Sequence, residues 1–314
     1  MLTSTLLFVF GDSLIYFILG SAFIATGFSF TSGTSSAFLH NTLIGLKREK
    51  EFSELDGKIN ANASLASAIM IFALPFLTEI SLVTSIALYI IFDFLGLLVS
   101  FSLYSPKIRY SAKDLVGESI FSQIRKFKGT GFFLFSLFLG LITGILLGLS
   151  PFKEPFLESL GLPIVLMGVA MAFSRVVWYV VGNNLKILKV LSLKKILFLE
   201  IILFSIFLIV VSQLKNPYII LGLLGLIKGY HLAREPLFNE YFLNKFYYNK
   251  RFKATMLSIK RMIGSLFMAI FTFAIGFVME VSYSLGFLIS GMAMVLILLP
   301  IYPLLHKTLT RIES

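Results

Sequence analysis

The basic residues of this chain are distributed unevenly between the gaps that separate its long apolar runs. Of 27 Lys and Arg residues, twenty-one fall in every second gap, and only two, Lys153 and Lys215, fall in the gaps between. Because positively charged loops stay on the cytoplasmic side of a bilayer, this alternation is typical of a chain that crosses a membrane repeatedly. It predicts an all-α, polytopic transmembrane helix bundle whose C-terminus is cytoplasmic.

Composition agrees with a membrane protein and excludes several other classes. Hydrophobic residues make up 57% of the chain, and the mean hydropathy is +0.92. The net charge is +11, but the basic residues recur at loop spacing along the chain and do not form one patch, which argues against nucleic-acid binding. The chain has no Cys and three scattered His residues, so we expect no metal site and no cofactor.

Ten apolar runs can be read along the chain, most of them close to the roughly 20 residues that a helix needs to span a bilayer. The first is too short, because about ten helical residues rise only about 15 Å. We therefore expect nine complete crossings, and we expect the chain to begin partway through a larger protein. The runs cover residues 2–11, 14–33, 59–77, 82–103, 132–149, 162–181, 196–211, 217–232, 256–279 and 285–305.

The longest basic gap divides the chain into two parts. Residues 1–103 form a partial N-terminal bundle with a half span and three helices, and residues 131–314 form a C-terminal bundle of six helices with a cytoplasmic tail. The central loop, 104–130, tethers the two parts. Its apolar residues recur at helical spacing beside basic ones, so a helix lying on the membrane surface is an alternative to a plain linker; these residues are Val116, Ile120, Ile124 and Phe127.

Two segments resemble the major facilitator superfamily of transporters. Residues 27–64 resemble the family's fourth and fifth helices, with His40 and Asn41 standing where the family often has Tyr and Asp. Residues 251–265, RFKATMLSIKRMIGS, are similar to the start of the family's eleventh helix. The matching residues of the first segment are Ser32, Gly33, Ala37, His40, Asn41, Leu43, Glu51, Phe52 and Gly57.

The resemblance implies a two-bundle architecture that lacks about the first two and a half helices of the family. It also implies that residues near the cytoplasmic ends of the helices act in gating. The candidates for this role are Ser32, Gly33, Asn41, Arg251, Lys260 and Arg261.

Charged residues at membrane depth are the main candidates for a solute site. Arg175 and Lys228 lie twelve and eleven residues after prolines that mark helix starts, about 18 Å into their helices. A cation at that depth costs about 2.5 to 3.5 kcal/mol even on lenient scales, so it needs a partner or water. Asp93, Trp178 and Asn60 complete the candidate cavity residues.

Each of these residues also has a structural interpretation. Arg175 could pair with Asp93 or Glu200, and Lys228 or Lys260 could reach the interface with its charged end. Trp178 could stack on a substrate or a guanidinium, and its structural interpretation is that it anchors the helix at the interface or packs in the core. Asn60 could close a helix end.

Enzymatic motifs are missing from the sequence: it contains no GxxxxGK[ST] loop, no GxSxG elbow and no HExxH pair. We therefore expect no enzyme, but a secondary transporter in the plasma membrane that moves a small polar or anionic solute by alternating access. Its expected partners are the lipid bilayer, the solute, and a proton or ion as candidate co-substrate. Two alternatives stay open: a non-transporting truncated remnant or membrane scaffold, and a lipid flippase or other lipid-handling membrane protein.

Overall fold

A computed structural model of the chain describes residues 1–31, 34–78, 82–104, 125, 127–163, 165–246 and 253–313, and these parts are almost entirely α-helical and contain no strand. This agrees with the predicted all-α class, because a helix satisfies its own backbone hydrogen bonds inside an apolar environment. The helices are α1 (Leu2–Phe10), α2 (Leu14–Thr31), α3 (Thr34–Gly45), α4 (Phe52–Thr78), α5 (Leu82–Ser102), α6 (Phe132–Gly148), α7 (Ser150–Ser159), α8 (Val165–Asn183), α9 (Leu185–Leu188), α10 (Leu193–Gln213), α11 (Pro217–Ala233), α12 (Glu235–Lys245), α13 (Lys253–Val281) and α14 (Tyr283–Glu313).

Six helical stretches within the described residues are long and apolar enough to cross a membrane. The chain is therefore a multi-pass membrane protein by the length and composition of its helices. Three further crossings stay predictions: α4 carries charges near its start, α5 counts only as a shorter apolar helix, and α11 has 17 residues. The six stretches are Leu14–Gly45, Phe132–Ser159, Leu166–Asn183, Leu193–Gln213, Lys253–Val281 and Tyr283–Ile312.

Glycines allow α4, α8 and α11 to lie close together. A Cβ on Gly57 of α4 would stand 2.8 Å from the backbone oxygen of Gly182 on α8. On the other side of α8, a Cβ on Gly229 of α11 would stand 2.5 Å from the backbone oxygen of Ser174. Helices in lipid associate through small residues of this kind. As a result α8 lies between α4, from the N-terminal part, and α11, from the C-terminal part.

The basic segments of the sequence meet at one end of the bundle, which we name the basic end. Nζ of Lys186 lies 3.2 Å from Oε2 of Glu54, and Nζ of Lys189 lies 3.0 Å from Oε2 of Glu240. Lys194 donates a hydrogen bond to Thr310 at 2.9 Å. The end that carries Lys153 and Lys215 is named the opposite end. Helices α6 and α13 pair along their lengths, as do α10 and α14, and they enclose most of the C-terminal core.

The connection after α6 is itself a short helix, α7. Pro151 stands in the first turn of α7, and Gly161 adopts φ +85 just after its end. Pro at a helix start and a left-handed Gly after its end are common helix boundaries. The predicted surface helix of the central loop lies outside the described residues except at its end, where Phe127 is buried and stacks on Phe132 at 4.6 Å between ring centroids.

Candidate functional site

Two cations lie on the adjoining helices α8 and α11. Arg175 and Lys228 are both partly buried, and neither forms a hydrogen bond or ion pair through its side chain with any residue that the structure describes. Their two positive charges repel each other. The guanidinium carbon of Arg175 lies 5.2 Å from the ring centroid of Trp178, which is a cation–π arrangement. The stacking alternative for Trp178 is therefore the observed geometry.

The carboxylates expected as alternative partners of Arg175 are occupied elsewhere. Asp93 accepts a hydrogen bond from Thr5 at 2.7 Å, which ties α5 to the short helix α1. Glu200 is 2% exposed and pairs with Arg234 at 2.8 Å between Oε1 and Nε. Within the described parts, neither carboxylate contacts Arg175. A pairing that would have made Arg175 purely structural is thus not observed.

Lys153, one of the two basic residues in the gaps that lie between the basic gaps of the sequence, adds a third cation. Helix α7 contacts α11, and Lys153 is only 6% exposed. Its Nζ lies 3.4 Å from Oε1 of the neighbouring Glu154. Both residues interact electrostatically with Lys228. The sequence signal for this position is the pair Pro151 and Gly161. A Pro at the start and a Gly after the end of a segment predict a short helix, which would place Lys153 in an ordered element.

The indole of Trp178 adds a neutral donor beside Arg175. Its Nε1 is buried and has no hydrogen-bond partner among the described residues. Buried polar groups normally have a partner, and an unpaired donor costs about 1 to 3 kcal/mol. We name Arg175, Lys228, Lys153 and Trp178, with Glu154, the interior basic cluster.

A second polar cluster lies at the basic end, where α12 meets α13. Lys260 is 6% exposed, and its Nζ donates to Glu235 at 2.5 Å and to Asn239 at 2.7 Å. The ammonium of Lys260 is therefore held inside the protein by Glu235 and Asn239. Burial alone would raise the pKa of Glu235, but the charges of Lys260 and Arg261 bring it down to about 2. Glu235 stays ionised at physiological pH and holds the Lys260 charge.

Asp56, near the start of α4, brings the N-terminal part to this second cluster. Burial and, to a smaller extent, the negative charge of Glu235 together raise the pKa of Asp56 to about 6, although Asn60 and Arg261 oppose the shift. Asn60 donates to both the backbone oxygen and Oδ1 of Asp56, at 2.7 and 3.1 Å. The structure thus places Asn60 one helical turn after Asp56, inside α4, where its amide bonds within the helix and does not close a helix end.

A third contact joins α3 to α13. Nζ of Lys253 lies 2.8 Å from Nδ1 of His40 and 3.4 Å from Oδ1 of Asn41. Lys253 is almost completely buried. Together with the neighbourhood of Asp56, Glu235 and Arg261, this contact connects the two parts of the chain at the basic end. The other gating candidates, Ser32, Gly33 and Arg251, lie outside the described residues.

The fold and these clusters define a class: a multi-pass α-helical membrane protein with two interior cations, Arg175 and Lys228, that form no ion pair with any carboxylate in the described part of the chain. Known proteins do not narrow this class. No protein-family model matches the chain, and no curated protein matches it at a significant level.

Proposed function

We propose that the chain is a secondary transporter of the major facilitator type, which moves a small polar or anionic solute through the plasma membrane by alternating access. Its C-terminus lies in the cytoplasm in this proposal, and the basic end is the cytoplasmic end. The observation that carries the proposal is the pair Arg175 and Lys228, two cations on adjoining apolar helices with no ion pair to a described carboxylate.

The energetics of these cations favour a solute path over a purely structural role. A lone cation at the centre of a bilayer costs about 2.5 to 3.5 kcal/mol, and two neighbouring cations repel each other in addition. A chain that served only as a scaffold would gain stability by replacing them with apolar residues. Water or an anionic solute at Arg175 and Lys228 removes the cost.

The contacts between the two parts of the chain also support alternating access. Helix α4 lies along α8 through the small residues Gly57 and Gly182. At Gly182 the neighbouring atoms across this interface are Ala61 Cβ and the backbone oxygen of Gly57, so small groups make the contact at that point. At the basic end, buried polar contacts such as Lys253 with His40 join the two parts, and water can replace them when the parts separate. This combination suits a pair of bundles that rock about an internal site.

Reconstitution of the purified protein in liposomes tests the proposal. We expect uptake of at least one of labelled sulfate, succinate and glucose above that of protein-free liposomes, driven by an imposed proton or sodium gradient. The substitutions Arg175→Gln and Lys228→Gln are expected to lower the rate at least about tenfold, the loss for one charge-assisted hydrogen bond. Lys307→Gln is the matched control, because Lys307 is an exposed lysine near the end of α14.

Two outcomes would contradict the proposal. A folded, helical protein that moves none of the three solutes supports the scaffold alternative. Movement of fluorescent phospholipid between leaflets without solute uptake supports the lipid-handling alternative.

A further inference from the structure

The interior basic cluster carries an excess of positive charge. It holds three cations, Arg175, Lys228 and Lys153, and one carboxylate, Glu154, whose side chain is 29% exposed. The excess is two charges. Glu154 offsets one of the three positive charges. Without Lys153 the excess would therefore be one positive charge instead of two.

The hydrogen-bonding character of the cluster is equally one-sided. Guanidinium, ammonium and indole N–H groups are all donors and have no acceptor atom. Apart from the two carboxylate oxygens of Glu154, the cluster offers a ligand only donors, including the unpartnered Nε1 of Trp178. A ligand that satisfies this arrangement must itself consist mainly of acceptors.

The location of Lys153 indicates the direction from which a ligand arrives. Helix α7 follows the end of α6 farthest from the basic end, and it contacts α11, which carries Lys228. Lys153 is held there by a helix with defined ends, so its ammonium is an ordered part of the bundle. A ligand that enters from the opposite end would therefore meet Lys153 before Arg175.

We propose that the interior basic cluster binds a small dianion, with Lys153, Lys228 and Arg175 each contacting a negatively charged oxygen and with the indole N–H of Trp178 as a further donor. Two negative charges neutralise the excess, and oxygen acceptors satisfy the donors. Oxyanions such as sulfate and dicarboxylates such as succinate share this chemistry. The inference rests on the proposed transport function for its biological meaning, but binding can be measured without transport.

Trp178 provides a direct readout, because it is the only tryptophan in the chain. Its fluorescence is recorded in purified, detergent-solubilised protein at pH 8 while sulfate, succinate or acetate is added at constant ionic strength. The midpoint of thermal unfolding is measured in the same solutions, because a ligand that binds only the folded protein raises it. We expect sulfate or succinate to give a saturable change in both signals and acetate to give none.

Variants of the two lysines at the opposite end isolate the role of Lys153. Lys153→Gln is expected to weaken dianion binding by about tenfold or more, as for loss of a charge-assisted hydrogen bond. Lys153→Arg keeps the charge and is expected to retain most of the affinity. Lys215→Gln removes the same charge from an exposed site at the same end and is expected to change nothing.

The outcomes separate this inference from the proposed function. If neither dianion changes either signal, or if Lys153→Gln binds as well as the unchanged protein, the dianion site is refuted. Dianion binding that depends on Lys153 without any flux in liposomes would uphold the site and refute the transporter. Flux of a solute that is unaffected by Lys153→Gln would uphold the transporter and refute the site.

Discussion

Replacing Asp56 with Asn tests the charge arrangement at the basic end. The carboxyl of Asp56 has a pKa of about 6, against an ordinary value of 3.8. Because the pKa in the folded protein is raised, the folded state binds a proton that the unfolded chain releases between these two values. The contribution of Asp56 to stability is therefore greatest below about pH 4 and is lost as the pH rises through about 6.

The size of the effect follows from the same two values. The difference of about two units between the pKa in the folded protein and the ordinary pKa means that ionised Asp56 destabilises the folded state by about 3 kcal/mol at pH 7.5. The amide of Asn carries no charge, its oxygen can still accept from Asn60, and its NH2 group takes the place of the carboxylate Oδ2, which has no partner in the described structure. We expect Asp56→Asn to be more stable than the unchanged protein by as much as about 3 kcal/mol at pH 7.5, and equally stable at pH 4.

The assay is unfolding by SDS titration in mixed micelles, followed by circular dichroism, at several values between pH 4 and 8. Asp12→Asn is the control, because it removes the same charge from an exposed site. The groups that face Asp56 from neighbouring elements are Glu235 on α12 and Arg261 on α13. If Asp56→Asn were no more stable at pH 7.5, or if its advantage were the same at every pH, the assignment of a buried, destabilising carboxylate would be refuted.

Three further predictions concern helix contact, charge pairing and orientation. Gly229→Ala is expected to lower stability by about 1 to 3 kcal/mol, because the new Cβ would stand 2.5 Å from the backbone oxygen of Ser174. Gly222→Ala on the same helix meets nothing within 4 Å and is expected to gain about 0.5 kcal/mol; thermal unfolding of the two variants should differ in sign. Lys260→Met leaves Glu235 without its ammonium partner and is expected to lower stability by about 2 kcal/mol or more. Adding Glu235→Gln to this variant should recover part of the loss. If the double variant is as unstable as Lys260→Met alone, the ion pair is unimportant for stability. Alkaline phosphatase fused after Lys215 is expected to be active outside the cytoplasm, and a fusion after Ser314 to be inactive; the reverse pattern would overturn the proposed orientation.

The helices and the depth of the interior cations follow from local properties of the sequence. Apolar runs of about 20 residues must be helical in lipid, and a rise of 1.5 Å per residue places Arg175 and Lys228 well inside them. The meeting of the basic segments at one end also follows, because alternate gaps between crossing helices lie on the same side.

The partners of these residues could not be predicted in the same way. Nothing in the sequence pairs Gly57 with Gly182, or Asp56 with Glu235, because such contacts depend on which helices become neighbours in space. The same is true of Arg175, for which Asp93 and Glu200 were equally plausible partners until Thr5 and Arg234 were seen to contact them. The burial of Lys153 could not be predicted, because α7 is short and its composition resembles that of an exposed loop.

The most direct test of the account is whether Lys228 faces water inside the bundle. The chain has no Cys, so Lys228→Cys introduces a single thiol that can be labelled in membrane vesicles with the membrane-impermeant anionic reagent sulfonatoethyl methanethiosulfonate. Leu226→Cys, at an exposed apolar position of the same helix, is the control and should not react in lipid. We expect Lys228→Cys to be labelled much faster than Leu226→Cys. If Lys228→Cys reacts no faster than Leu226→Cys, no aqueous path reaches the interior basic cluster, and both the transporter and its anion site are contradicted.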